Sequence, residues 1–392
     1  MNNILLTRLF FHNIIYYKYE IKCCIIGGKK MANIIEYVKW RGDLTIDQSR
    51  FNEIDSLILN RFSYFPFDDI IEENEIVTIK DLSKRFMKKD MNTMHILWDD
   101  DANLFPAMGD STRFGEMKAT MFVNKISAEQ EKQFSAITIL LPDDTIYVSY
   151  RGTDNTVVGW KEDLNMTFKS HVPSQIDAVK YLENVGEKYK QCNIRLGGHS
   201  KGGNLAVYAA VFANNDIQNK IIDVYNDDGP GFNDNIVNSP EYKKMISKVN
   251  TYIPQDSIFG RLLTHEENYK VVRSTQKGVM QHDIYSWQLF GNKLECLKEV
   301  TNGSKFIDKS ITDWLSQIDM NTREQVIDIV FQVINTTKVE TMAELKKHWF
   351  LNAKTVFSSY KQISPENKKM IMETLSALFK IVKDNLIEER KN

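Results

Sequence analysis

The chain is poor in cysteine, close to neutral and without a long uncharged apolar run, and each shortage narrows what it does. Only four cysteines, Cys23, Cys24, Cys192 and Cys296, occur in 392 residues. None forms a C-x-x-C pair or stands at metal-ligand spacing from a histidine, so no zinc site is expected. So low a count suits a reducing compartment, and a cytoplasmic location is expected. A net charge of −2 supplies no bulk attraction for nucleic acid. Residues 1–30 are apolar and aromatic, but Arg8, His12, Lys18 and Lys22 interrupt them, and no run there is long enough to span a bilayer as a helix. The layout of a signal peptide is missing as well. A transmembrane segment is therefore not expected, while peripheral membrane contact stays open. There is no internal repeat and no low-complexity linker.

Gly27-Gly28-Lys29-Lys30 stands directly before Met31. Gly-Gly can be encoded by a GGAGG ribosome-binding sequence and Lys-Lys by an A-rich spacer. Met31 is therefore read as the true start and residues 1–30 as translated leader. The alternatives are a weakly ordered arm or an uncleaved membrane-touching segment.

What is present is an ordinary globular composition, 42% apolar and 26% charged, enough for a sizeable core. Residues 31–125 read as short helical patterns and loops, among them IDSLILNRF and TIKDLSKRFMKK with a capping Thr78. From about Gln133 the pattern changes. FSAITILL, the turn PDD and TIYVSY predict a hairpin or two adjacent strands. PSQIDAVKYLENVGEKYK predicts a helix opened by Pro173 and Ser174. NIRLGG, KIIDVYN, VNTYIP and YKVVRST predict strands, and KGGNLAVYAAVFANN a helix with a small-residue face. This alternation predicts a mostly parallel sheet with helices on both faces. Beyond about residue 300 only helical patterns remain. The expected division is 31–300, with a catalytic core at 133–300, followed by a helical region at 301–392.

One stretch carries chemistry. Gly198-His199-Ser200-Lys201-Gly202 fits G-x-S-x-G between a predicted strand and a predicted helix, the context a nucleophile elbow requires. Glycines two positions either side let strand and helix close around a strained serine. The Lys201 N–H becomes a candidate oxyanion donor, and its side chain is expected to point to solvent. In α/β-hydrolases the partners follow in the order acid, then histidine. His265, His282 and His348 lie downstream; His265 looks solvated and His348 sits in a helical pattern. His282, in a loop after the last strand candidate, is preferred. For the acid, Asp256 after the second post-elbow strand is preferred, with Asp228 second. Asp227 and Asp228 beside Gly-Pro-Gly also read as turn formers.

YRGTDNTVVGWKEDL, GHSKGG, IPQDSIF and QHDIYSW, in that order, resemble the lipase class 3 arrangement on the α/β-hydrolase fold. The region 31–300 is closer still to a family of uncharacterised bacterial proteins related to those lipases. The resemblance implies a second oxyanion donor at Thr153, after the strand ending in Arg151-Gly152, and matches Trp160 and Asp163. It implies Asp256 as acid, His282 as base and no cofactor or metal. The activity it implies is hydrolysis of a small-molecule acyl ester or lipid by a serine esterase. The alternative is a catalytically degenerate fold retained as a binding module. No amphipathic lid is evident before the elbow, and the helical tail has no counterpart in the simple lipases.

Overall fold

The computed structural model describes residues 32–389 apart from 73, 91–93, 95 and 348. The assigned start at Met31, the segment before it, and His348 lie outside the described residues. Among these residues the strands are β1 (Val77–Thr78), β2 (Lys118–Ser127), β3 (Lys132–Leu140), β4 (Ile146–Tyr150), β5 (Ile194–His199), β6 (Ile221–Asp227), β7 (Val249–Pro254), β8 (Tyr269–Val272), a small hairpin of β9 (Leu289–Phe290) and β10 (Lys293–Leu294), and β11 (Cys296–Leu297). Nine of them form one sheet in the order β1-β2-β3-β4-β5-β6-β7-β8-β11.

The sheet is mixed, which corrects the expectation of a mostly parallel one. The ladders from β4 to β8 are parallel. Those joining β1 to β4, and β8 to β11, are antiparallel. The cause is connection length. Tight turns link β2, β3 and β4, and a tight turn joins only antiparallel neighbours; parallel neighbours need a crossover, usually a helix. Pro173–Lys188 crosses from β4 to β5, and Lys201–Phe212 from β5 towards β6.

The predicted hairpin is β3–β4. Leu141 N–H closes its turn on the Thr145 carbonyl at 2.9 Å, with Asp144 at φ 58°. A further strand, β2, lies where short helical patterns and loops were expected. Its register slips between Thr120 and Val123, and Met121 sits at φ 53°. A bulge of this kind breaks the two-residue alternation by which a strand is read.

Successive side chains feed two cores. Ile137, Ile139 and Tyr147 enter one, and Ala136, Ile146, Val148 and Tyr150 the other. The first core is completed by the N-terminal helices, notably Ile54, Leu57, Ile58, Phe86 and Phe105. The second is completed by the alanine-rich face of Lys201–Phe212 and by Ala178, Leu182 and Val185. Buried ion pairs pin the N-terminal cover. The Arg113 guanidinium donates to Asp55 at 2.6 Å, and that of Arg61 to Asp101 at 2.6 Å. Among the described residues five helices form the tail: Asn302–Ser316, Met320–Asn335, Met342–Lys347, Trp349–Gln362 and Pro365–Glu389. No helix among the described residues is long and apolar enough to cross a membrane.

Candidate active site

β5 runs directly into the helix Lys201–Phe212, and the single residue between them is Ser200, at φ 59° and ψ −136°. A serine in this region costs on the order of 1–3 kcal/mol of backbone strain. Contact on both sides enforces it. A Cβ on Gly198 would lie 2.2 Å from the Gly202 carbonyl carbon, and a Cβ on Gly202 would lie 2.2 Å from the Tyr150 carbonyl oxygen. The Ser200 side chain does not cap its own helix.

The neighbouring strand ends the same way. Ser200 N–H donates to the Asp227 carbonyl at 2.9 Å, and Asp228 N–H to the Tyr252 carbonyl at 2.8 Å. Asp228, at φ 53°, is the residue just past β6 as Ser200 is the residue just past β5. The Asp228 carboxylate is fully buried and heavily engaged. One oxygen accepts the Ser257 hydroxyl at 2.5 Å and Gly260 N–H at 3.1 Å. The other meets His282 Nδ1 at 2.6 Å. An ionised carboxylate only accepts, so the Nδ1 proton lies on the imidazole and Nε2 is left as a base.

Two rings hold that imidazole, His199 and Phe259, each with its centroid 4.4 Å from that of His282. His199 Nε2 donates to the His282 carbonyl at 2.8 Å. Burial lowers the pKa of His199 well below the usual imidazole value, so this ring stays neutral. Tyr64, from the N-terminal cover, accepts Gly152 N–H at 3.1 Å and donates to the His199 carbonyl at 3.0 Å. It ties the ends of β4 and β5 together.

On the other flank, the Thr153 hydroxyl donates to Asp163 at 2.7 Å. Desolvation raises the Asp163 carboxyl to about 6, against the pull of the nearby Lys201 charge. With its hydroxyl engaged, Thr153 has its backbone N–H left to offer an oxyanion. The Lys201 side chain does not point to solvent, which corrects that expectation. It is buried, and Nζ donates to Glu162 at 3.0 Å, to the Gln133 carbonyl at 2.9 Å and to Gln133 Oε1 at 2.7 Å. Three donors meet three acceptors, which is what allows an ammonium to be buried.

Residues 108–332 match the model of the Mbeg1-like family. The chain belongs to the Mbeg1-like family. No curated protein matches its sequence. Solved structures that resemble it include the Rhizomucor miehei lipase propeptide complex, at 14% identity and TM-score 0.33. That overlap covers 49% of this chain and 65% of the lipase. M37 lipase follows at 16% identity and TM-score 0.36, over 54% and 70%. Yarrowia lipolytica Lip2 lipase is at 11% and 0.31, over 59% and 93%.

In this Mbeg1-like chain the preferred acid, Asp256, is not the partner of His282. Its carboxylate accepts Gly278 N–H at 3.1 Å, the Gln281 amide at 2.8 Å and the Thr301 hydroxyl at 2.5 Å. Asp256 lies two residues past β7 and is spent bracing the loop that carries His282. Asp228, one strand nearer the elbow, takes the position. His265 pairs instead with Glu267 at 2.9 Å. The sequence carried no mark of Tyr64 or Glu162: a tyrosine in the N-terminal cover and one acid in a charged helix look like any others.

The tail of the Mbeg1-like chain holds both flanks. Met342 N–H donates to the Asn155 carbonyl at 2.8 Å and Val157 N–H to the Glu340 carbonyl at 2.9 Å, just beyond Thr153. Lys161 meets Asp328 at 2.8 Å. On the acid side the Ser304 hydroxyl donates to the Ser257 carbonyl at 2.7 Å. Apolar side chains stand exposed on the elements that carry these residues, Trp160 and Leu164 on the helix of Glu162 and Asp163, and Val279 and Met280 just before His282 in the chain. Cavities of about 440 and 390 Å³ lie elsewhere, lined by residues around Arg261 and around Phe212. Among the described residues no three His, Cys, Asp or Glu side chains are grouped to hold a metal.

Proposed function

We propose that this protein is a serine hydrolase of the lipase/esterase type on an α/β-hydrolase fold, cleaving an acyl ester through Ser200, His282 and Asp228. The observation that carries this reading is the 2.6 Å contact of His282 Nδ1 with Asp228, set beside a strained serine on the adjoining strand end. His282 Nε2 takes the Ser200 proton as the hydroxyl attacks the acyl carbonyl, and Asp228 holds the tautomer and the imidazolium that forms. The Lys201 and Thr153 N–H groups receive the oxyanion. His282 then protonates the leaving alcohol, and water releases the acyl group by the same route in reverse. The apolar rim of Trp160, Leu164, Val279 and Met280 favours an apolar acyl chain or a lipid surface over a charged substrate.

A fluorophosphonate probe tests this. Wild type is expected to take up one label, and Ser200→Ala none. Folded wild type that stays unlabelled refutes catalysis and leaves the fold as a binding module. A panel of p-nitrophenyl esters of graded chain length then reads acyl preference.

A further inference from the structure

The ammonium of Lys201 is one of few charges sealed in this protein, its side chain 1% exposed against 0% for Glu162. Burying such a pair is expensive, and an apolar pair often serves stability as well or better. The contacts suggest what it does instead. Resting on the hydrolase reading above, we propose that the Lys201 side chain is a positioning residue that sets the two oxyanion donors at a fixed spacing.

The chain of contacts is short. Lys201 is the first residue of the elbow helix, so its N–H stands directly behind Ser200. Its ammonium is clamped to Glu162, on the helix Val157–Asn165. The next residue of that helix, Asp163, receives the Thr153 hydroxyl. Both donors are thereby indexed to one helix, from two sides. Glu162 is itself fixed by backbone N–H groups from Gln133, at 2.9 Å, and Ser174, at 2.8 Å. Gln133, the third member of the cage, reaches the Gly152 carbonyl with its amide at 3.4 Å. An apolar residue at 201 would fill the space but leave the elbow helix free to rotate against Thr153.

Removing one oxyanion donor costs roughly 10²–10³ in rate, so misplacing one is expected to cost about 10–100-fold. Lys201→Met should keep one fluorophosphonate label per chain while labelling rate and kcat on p-nitrophenyl butyrate fall about 10–100-fold, with KM within about threefold. The double variant Lys201→Met/Glu162→Gln, which removes the stranded charge, should regain thermal stability but not rate. Rate returning together with stability would mean a purely structural pair and overturn the proposal. So would wild-type labelling kinetics in Lys201→Met. If Lys201→Met does not fold, Glu162→Gln alone decides: a loss of about tenfold in kcat at unchanged KM supports positioning, and wild-type kcat overturns it. Wild type that never labels overturns the hydrolase reading itself, a distinct result.

Discussion

Substituting Asp228 by asparagine separates the two candidate acids. Asp228 Oδ1 accepts two donors, the Ser257 hydroxyl and Gly260 N–H, whereas Oδ2 faces His282 Nδ1. An asparagine there has one oxygen and one NH₂. The oxygen stays with Ser257 and Gly260, because turning it away would set the NH₂ against a backbone N–H. The NH₂ therefore points at His282 Nδ1, which must then accept, and the ring proton moves to Nε2. The base is lost while the geometry stays nearly intact. The equivalent change in a serine protease triad lowers kcat about 10⁴-fold, and the same order is expected here. Asp256→Asn leaves the tautomer alone and loosens only the brace to Gly278, Gln281 and Thr301, so a loss below about tenfold is expected. The assay is steady-state hydrolysis of a p-nitrophenyl ester, with labelling rate as a second readout. Asp228→Asn retaining more than a tenth of wild-type kcat, with Asp256→Asn abolishing it, would refute the assignment.

Three further perturbations test other parts of the structure. Desolvation raises the buried Asp227 to about 7, with Asn60 pulling it down and Asp228 pushing it up. Its contribution to stability is therefore full below pH 3.8 and is lost as pH rises through about 7, so Asp227→Asn should raise the melting temperature at pH 8 and change it little at pH 4, by a difference of at most about 4 kcal/mol. Arg113→Met strands the buried Asp55 carboxylate and should destabilise by about 3–5 kcal/mol, a fall of roughly 5 °C in melting temperature by calorimetry. Met342→Pro deletes the N–H that meets Asn155 at a first helical position that tolerates proline, so kcat should drop severalfold and amide exchange quicken across 155–159, with melting unchanged within about 3 °C.

How much of this was legible in the sequence depended on whether the signal was local. The β3–β4 hairpin, the Thr78 cap and the strand-elbow-helix at Ser200 each rest on residues adjacent in the chain, and each is read directly from them. The balance of parallel and antiparallel ladders was misjudged because β2 was missed, and β2 was missed because one bulged residue, Met121, shifts its alternation out of phase. The choice between Asp228 and Asp256 could not be made locally at all. Both are acids just past a strand. What separates them is that β6 lies next to β5 in the sheet and so delivers its terminal acid beside Ser200, whereas Asp256 is captured by Gln281 and Thr301. The burial of Lys201 was hidden in the same way: its acceptors, Glu162 and Gln133, come from 39 and 68 residues away.

The tail follows the same logic, and on the hydrolase reading it has a place beside the site. Its first helix is pinned to the acid side, where Ser304 holds the backbone of Ser257, whose hydroxyl in turn holds Asp228. Its second helix and the strand bridge at Thr341 are pinned to the oxyanion side, through Asp328 and through Asn155 and Val157. The proposed nucleophile and base are referenced to the sheet, but the segment after Thr153 leaves the sheet at β4, and among the described residues its β-type pairing is the isolated bridge of Thr156 with Thr341 in the tail. A loop so placed is ordinarily the most mobile part of a domain, because little apolar contact restrains it. Here a packed helical layer supplies the restraint, and it bonds to the acid loop as well. The distance between the two halves of the site is therefore set partly by elements more than a hundred residues downstream of Ser200. On the hydrolase reading the tail therefore braces the site from both flanks.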